Sequence, residues 1–161
     1  MRRGALDRFL VLCVIALTGV FLVVTHRLGQ APGLSAGRAS WALTPGVVNL
    51  EVSQRSIAST ICVRGWTAEI RPSSGYTSAL KLEQMSAYRR GGSPSDYQED
   101  HLISLELGGH PTDPRNLWPE PRPRAEAVDR IENDLNAAIC SGRMTLAEAQ
   151  RRISDIKHTQ G

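Results

Sequence analysis

The chain predicts an α+β fold behind an N-terminal hydrophobic segment, and three observations carry that prediction. Apolar residues recur at helical spacing at Val128, Ile131, Leu135 and Ile139 and again at Leu146, Ala149, Ile153 and Ile156. Residues 66–70, Trp-Thr-Ala-Glu-Ile, alternate as a short strand does. Residues 9–24 form a run of sixteen without a charge. With 161 residues, 22% of them charged and 41% hydrophobic, the chain is one domain or one domain plus a tail, and wholesale disorder is excluded.

The apolar run follows the basic MRRGALDR and precedes a Gly/Ala/Ser/Pro-rich stretch, the layout of an export signal. Its length lies between the core of a cleaved signal and a membrane span of ~20 residues, so residues 1–24 read as a signal peptide or a transmembrane anchor. A buried core helix, which would make the protein intracellular with reduced cysteines, is the third reading; the run is apolar all round rather than striped, which disfavours it. The positive-inside rule puts the N-terminus in the cytoplasm. The rest then works outside, anchored at the membrane, or secreted or periplasmic if the segment is cleaved. Residues 25–44 read as a flexible linker and 45–161 as the folded domain.

Charge says little about a partner. The chain carries a net +3, but beyond Val24 the balance is 16 basic to 15 acidic residues, so local patches must carry any argument for nucleic acid. Cys13 lies in the apolar run and behaves as a small hydrophobe. Cys62 and Cys140 are left, and in an oxidising compartment two leftover cysteines usually pair. Loop-closure entropy credits such a bridge with ~4.5 kcal/mol. Metal ligation is the alternative, without a CxxC or Cys-x-His neighbour to support it.

Within the domain, Asn49 is a plausible N-cap for a short helix ending at Cys62, followed by the strand at 66–70. A second helix is expected from Thr77 or Ser78 to Tyr88, with Leu82, Met85 and Tyr88 on one face, stopped by Gly91-Gly92-Ser93-Pro94. Ser141-Gly142 ends the helix through Ile139. Thr145-Leu146-Ala147-Glu148 is a capping box that opens the last one.

Residues 97–121, YQEDHLISLELGGHPTDPRNLWPEP, are the informative stretch. Asp100-His101 form an acid-imidazole pair, Leu107-Gly108-Gly109 start a tight loop, and Asn116-Leu117 follow fifteen positions after the histidine. This arrangement resembles the HNH, or His-Me finger, nuclease family over about 30 of the 161 residues. The resemblance implies a ββα-metal core, a hairpin and a helix, surrounded by further helices. It implies His101 as general base, Asp100 as a metal ligand and Asn116 as the residue holding loop and histidine in register. Family members often carry His or Asn about nine positions after the asparagine; here that position is Ala125. Of the carboxylates on the early turns of the following helix, Glu126, Asp129 and Glu132, Asp129 is the expected second ligand, with the start of that helix pushed downstream by the proline-rich PEPRPR. His110 extends the loop within reach of a metal or simply in solvent, and Glu106 is either a supporting carboxylate or solvated.

The chemistry is coherent. Phosphodiester hydrolysis needs a water deprotonated near neutral pH, which suits an imidazole with an ordinary pKa of ~6.5. It also needs negative charge neutralised on the phosphate and leaving oxygen, which suits a divalent cation, Mg²⁺ by default, on carboxylate oxygens. Arg115, Arg122 and Arg124 flank the motif as candidate phosphate contacts. Trp118 is expected to pack the helix on the strands. The expected activity is an exported, metal-dependent HNH-type endonuclease, with DNA preferred over RNA and no protein partner inferable. The alternative is a non-catalytic envelope-associated module that keeps the ββα shape for binding, a reading Ala125 favours.

Overall fold

A computed structural model describes residues 37–160. The hydrophobic segment at 1–24 and the linker up to residue 36 lie outside the described residues. The chain forms helix α1 (Trp66–Ile70), α2 (Ser74–Ala87), strand β1 (Tyr97–His101), β2 (Leu117–Pro121), α3 (Arg122–Cys140) and α4 (Leu146–Thr159). Single 3-10 turns occur at Ile57–Ser59, Pro94–Asp96, Leu105–Leu107 and Pro114–Asn116. Among the described residues the fold is mixed α+β, with four helices and a two-stranded antiparallel sheet. No helix among the described residues is long and apolar enough to cross a membrane.

The hairpin pairs Tyr97 with Pro121, Asp100 with Trp118 and His101 with Leu117. Residues 46–49 run along its connecting loop: Gly109 bridges Val48, the His110 amide donates to Val47 O, and the Asn49 amide donates to Gly108 O. The two glycines are required for this turn. Gly108 has φ +76, the left-handed region, and a Cβ on Gly109 would lie 1.7 Å from the Ile103 carbonyl oxygen.

One apolar cluster joins α3 and α4 to the loop, through Val128, Leu135, Ile139, Leu146, Ala149, Ile153, Ile103 and Leu107. Each fully buried aliphatic side chain contributes ~1.5–3 kcal/mol. A second cluster, Ala39, Tyr88, Leu102 and Trp118, sits on the other side of the hairpin. Trp118 is fully buried, tilted against Tyr88, with the Arg90 and Arg124 guanidinium groups over its ring. Thr145 caps α4 by accepting from the Glu148 amide at 3.2 Å, and Cys62 is disulfide-bonded to Cys140 at the end of α3.

Several expectations are corrected. Residues 66–70 are a helix, not a strand: the half-buried positions are 66, 67 and 70, a helical spacing, and no strand lies alongside. Between Asn49 and Cys62 there is one 3-10 turn rather than a helix. Asn49 Oδ1 accepts from the Glu51 amide and Ser56 Oγ donates to Glu51 O, so side chains capture the backbone groups a helix needs. Helix α2 starts at Ser74, earlier than expected, because Ser73 Oγ accepts from the Tyr76 amide. Its buried face is Leu80, Gln84 and Met85, while Leu82 is exposed. Helix α3 begins at Arg122, directly after β2, rather than downstream of the prolines; Pro123 occupies the first turn, where a missing N–H costs nothing. Residues 37–44, read as linker from the sequence, are bonded into the fold: the Ala39 amide donates to Lys157 O, and Thr44 is fully buried beneath the Tyr88 hydroxyl.

Candidate active site

Asp100 and His101 close β1, where the strand gives way to the glycine loop. Side chains alternate along a strand, so two neighbours share a cavity only where the strand ends. Both line a polar cavity of about 310 Å³, whose other walls include Glu106 from the loop, Asp129 and Glu132 from α3, and Arg71 just past α1.

Asn116 fixes the loop. Its Nδ2 donates to Ile103 O at 3.1 Å and to His110 O at 2.9 Å, and its Oδ1 accepts from the Ile103 amide at 3.0 Å and the Val47 amide at 3.3 Å. The side chain is fully buried, with every amide hydrogen-bonding direction used. The loop so held presents the Pro111 carbonyl to His101. His101 Nε2 lies 2.9 Å from that oxygen, which can only accept, so Nε2 carries the proton and Nδ1 keeps the lone pair in the neutral ring. Burial lowers the His101 pKa below its ordinary value, against the opposing pull of the Pro111 bond and the Asp100 charge. The ring is therefore neutral at pH 7.

Behind the cavity stands a residue absent from the sequence reading. Lys157 of α4 is fully buried, and its Nζ lies 2.5 Å from Asp100 Oδ2, 2.7 Å from Glu132 Oε1, 2.7 Å from the His101 carbonyl oxygen and 3.6 Å from Glu120 Oε2. Arg124 pairs with the other oxygen of Glu120. Burial would raise the Asp100 pKa, but the Lys157 ammonium outweighs it and holds this carboxyl well below the usual range. Burial pushes Glu120 up to about 8 and Glu132 up to about 7, with the Asp100 charge adding to both. One signal in the sequence points to this cluster: Lys157 lies on the stripe Leu146, Ala149, Ile153, and Glu132 lies on the stripe Val128, Leu135, Ile139, each a charge on an apolar face.

Asp129 lines the same cavity as Asp100 and His101, and burial together with the Asp100 charge raises its pKa. Ala125 is buried in the α3 interface. The arginines expected to touch phosphate are not brought to the cavity. Arg115 pairs with Asp113 in solvent, Arg122 donates to Ser95 O, and Arg124 ties α3 to Glu120 and to the carbonyls of Ile156 and Gln160. These partners lie on the loop, in the turn before β1, on β2 and at the end of α4, and draw the guanidinium groups away. Arg71, which nothing in its local sequence marks, is the arginine on the cavity wall. His110 Nδ1 accepts from the Thr112 and Asp113 amides and shapes its own loop.

Among the described residues, no three His, Cys, Asp or Glu side chains converge as a metal cage. A hard divalent ion does not require one, since Mg²⁺ uses one or two carboxylates and fills its shell with water and phosphate. Asp100 has one oxygen on Lys157 and the other accepting from Gln98 Nε2 at 3.2 Å. Asp129 and Glu106 are the cavity carboxylates with no ion pair among the described residues, and burial followed by the neighbouring Asp129 charge raises Glu106. Two carboxylates on the wall of one cavity with a neutral imidazole have the donor chemistry that a hard divalent cation takes. Comparison of the chain with protein-family models, curated proteins and solved structures gave no match.

Proposed function

We propose that this protein is an exported, metal-dependent endonuclease of HNH type, a hydrolase of nucleic-acid phosphodiester bonds, with DNA the favoured substrate. The supporting observation is His101: its Nε2 proton is committed to Pro111 O, and its neutral ring borders a polar cavity shared with Asp129, Glu106 and Arg71. The two strands, their glycine loop and α3 follow one another as the ββα-metal reading requires.

In this mechanism Nδ1 of His101 takes the proton of the attacking water, and the Pro111 bond keeps the ring from rotating as positive charge develops. Arg71 contacts the phosphate, and its planar fork suits two phosphate oxygens. Asp129 and Glu106 would hold a divalent cation, Mg²⁺ by default, which would neutralise charge on the phosphate and leaving oxygen. The disulfide supports an oxidising compartment, and residues 1–24 provide export or a membrane anchor.

Cleavage of supercoiled plasmid by the purified protein, with and without EDTA, tests the proposal. His101→Ala should lower the rate by about 10²–10⁴-fold with an unchanged circular-dichroism spectrum. Equal cleavage by wild type and variant, or cleavage indifferent to EDTA, would refute it. The ion-paired state of Asp100 favours one second reading, a non-catalytic envelope module, for which neither protein would cut at any metal concentration.

A further inference from the structure

The chain has two lysines. Lys81 donates to Tyr97 O from a partly buried position, whereas Lys157 is fully enclosed beside the residue that anchors the proposed hydrolysis. The Lys157 ammonium donates to Asp100 Oδ2 and to the His101 carbonyl oxygen, and it is ion-paired with Glu132 Oε1 at 2.7 Å. Four elements meet at this nitrogen: β1 with Asp100 and His101, β2 with Glu120, α3 with Glu132, and α4 with Lys157 itself.

Stability alone does not account for such a cluster. Taking each charge out of water costs several kcal/mol, and well-packed apolar residues in place of a buried ion pair are often as stable or more so. What the cluster does achieve is geometric. The His101 backbone is clamped through its carbonyl by Lys157, and its ring is clamped through Nε2 by Pro111 O. Asp100, next in the chain, has both oxygens engaged, one by Lys157 and one by Gln98.

We infer that the Lys157 ammonium is the built-in occupant of a cation site formed by Asp100, Glu120 and Glu132, a positioning residue that fixes the end of β1 and keeps Asp100 out of the coordination of a divalent ion. This deepens the hydrolytic reading of the cavity and rests on it: a divalent ion then belongs to the open side, with Asp129 and Glu106.

Mn²⁺ titration of the full chain, followed by the electron paramagnetic resonance of the free ion, tests this without reference to activity. Asp100→Asn should change the affinity less than threefold, while Asp129→Asn should weaken it at least tenfold. Lys157→Ala combined with Glu132→Gln removes the ammonium together with one of its carboxyl partners and opens the space of the lysine stem. That protein should bind Mn²⁺ at least tenfold more tightly than wild type, and adding Asp100→Asn should cancel the gain. A tenfold loss from Asp100→Asn alone, or a folded Lys157→Ala/Glu132→Gln protein that gains nothing, overturns the inference. The Asp100→Asn comparison retains Lys157 and carries the test if the other variant fails to fold. A wild type that binds no Mn²⁺ beside a Lys157→Ala/Glu132→Gln protein that does would overturn the metal-dependent reading while supporting the role of Lys157.

Discussion

Asn116 and Ile103 are joined by two hydrogen bonds across the glycine loop, Asn116 Nδ2 to Ile103 O at 3.1 Å and Ile103 N to Asn116 Oδ1 at 3.0 Å. The side chain thereby acts as a strand partner for a residue 13 positions away. Asn116→Asp replaces a donor that serves two carbonyls with an acceptor, leaving Ile103 O and His110 O facing a carboxylate in a buried site. We expect a loss of about 3 kcal/mol or more, from the unsatisfied groups and the buried charge together, read as a lower urea midpoint. Asn116→Asp with wild-type stability would show that the loop is held elsewhere.

The depressed pKa of His101 has a defined sign in both activity and stability. In the proposed hydrolysis the base form is the neutral ring, so kcat/KM for nucleic-acid cleavage should rise with pH along a limb whose midpoint lies below 6.5, then level off. For folding, a histidine whose native pKa lies below its unfolded value contributes stability that is present above about pH 6.5 and lost as pH falls. His101→Gln should flatten that part of the stability profile, and a midpoint above 6.5 in the rate profile would contradict the assigned environment.

Glu99 lies on β1, with both carboxyl oxygens buried and lacking a hydrogen-bond partner among the described residues. Burial pushes its pKa up to about 8, only partly offset by Lys81, with the Asp100 charge adding to the rise. Its native pKa lies above the unfolded one, so its effect is absent in acid and becomes destabilising as pH climbs from about 4.5 to 8. Glu99→Gln should therefore raise the melting temperature at pH 8 by several degrees and leave it nearly unchanged at pH 4, since each tenfold change in proton affinity is worth about 1.4 kcal/mol. An equal effect at the two pH values would exclude titration as its cause.

The Cys62–Cys140 bridge closes a loop of 78 positions that contains the whole hairpin. Cys62→Ala/Cys140→Ala should cost about 2–5 kcal/mol in denaturant unfolding. The bridge also tethers the segment leading to Arg71 against α3, so reduction of the wild type should weaken nucleic-acid cleavage at temperatures where the domain remains folded. Unchanged stability on reduction would mean that packing alone holds that segment.

The sequence by itself determined the features governed by short-range rules. The stop at Gly142, the Thr145 cap and the apolar stripes of α3 and α4 depend on neighbours within a turn or two, and they are visible in one dimension. The disulfide was legible from the cysteine count and the export expected from the N-terminal segment. The two-residue pattern at 66–70 was ambiguous for the same reason in reverse: five residues satisfy either period, and only the absence of a partnering strand decided for helix. Tertiary structure alone decided where the charges go. Arg124 and Arg115 found oxygens nearby and turned from the cavity, Arg71 entered it, and Lys157 crossed from the last helix to reach Asp100, 57 positions earlier in the chain. A long charged side chain is steered by which acceptors lie within its reach once the backbone has closed, and that depends on how the helices pack against one another and against the hairpin.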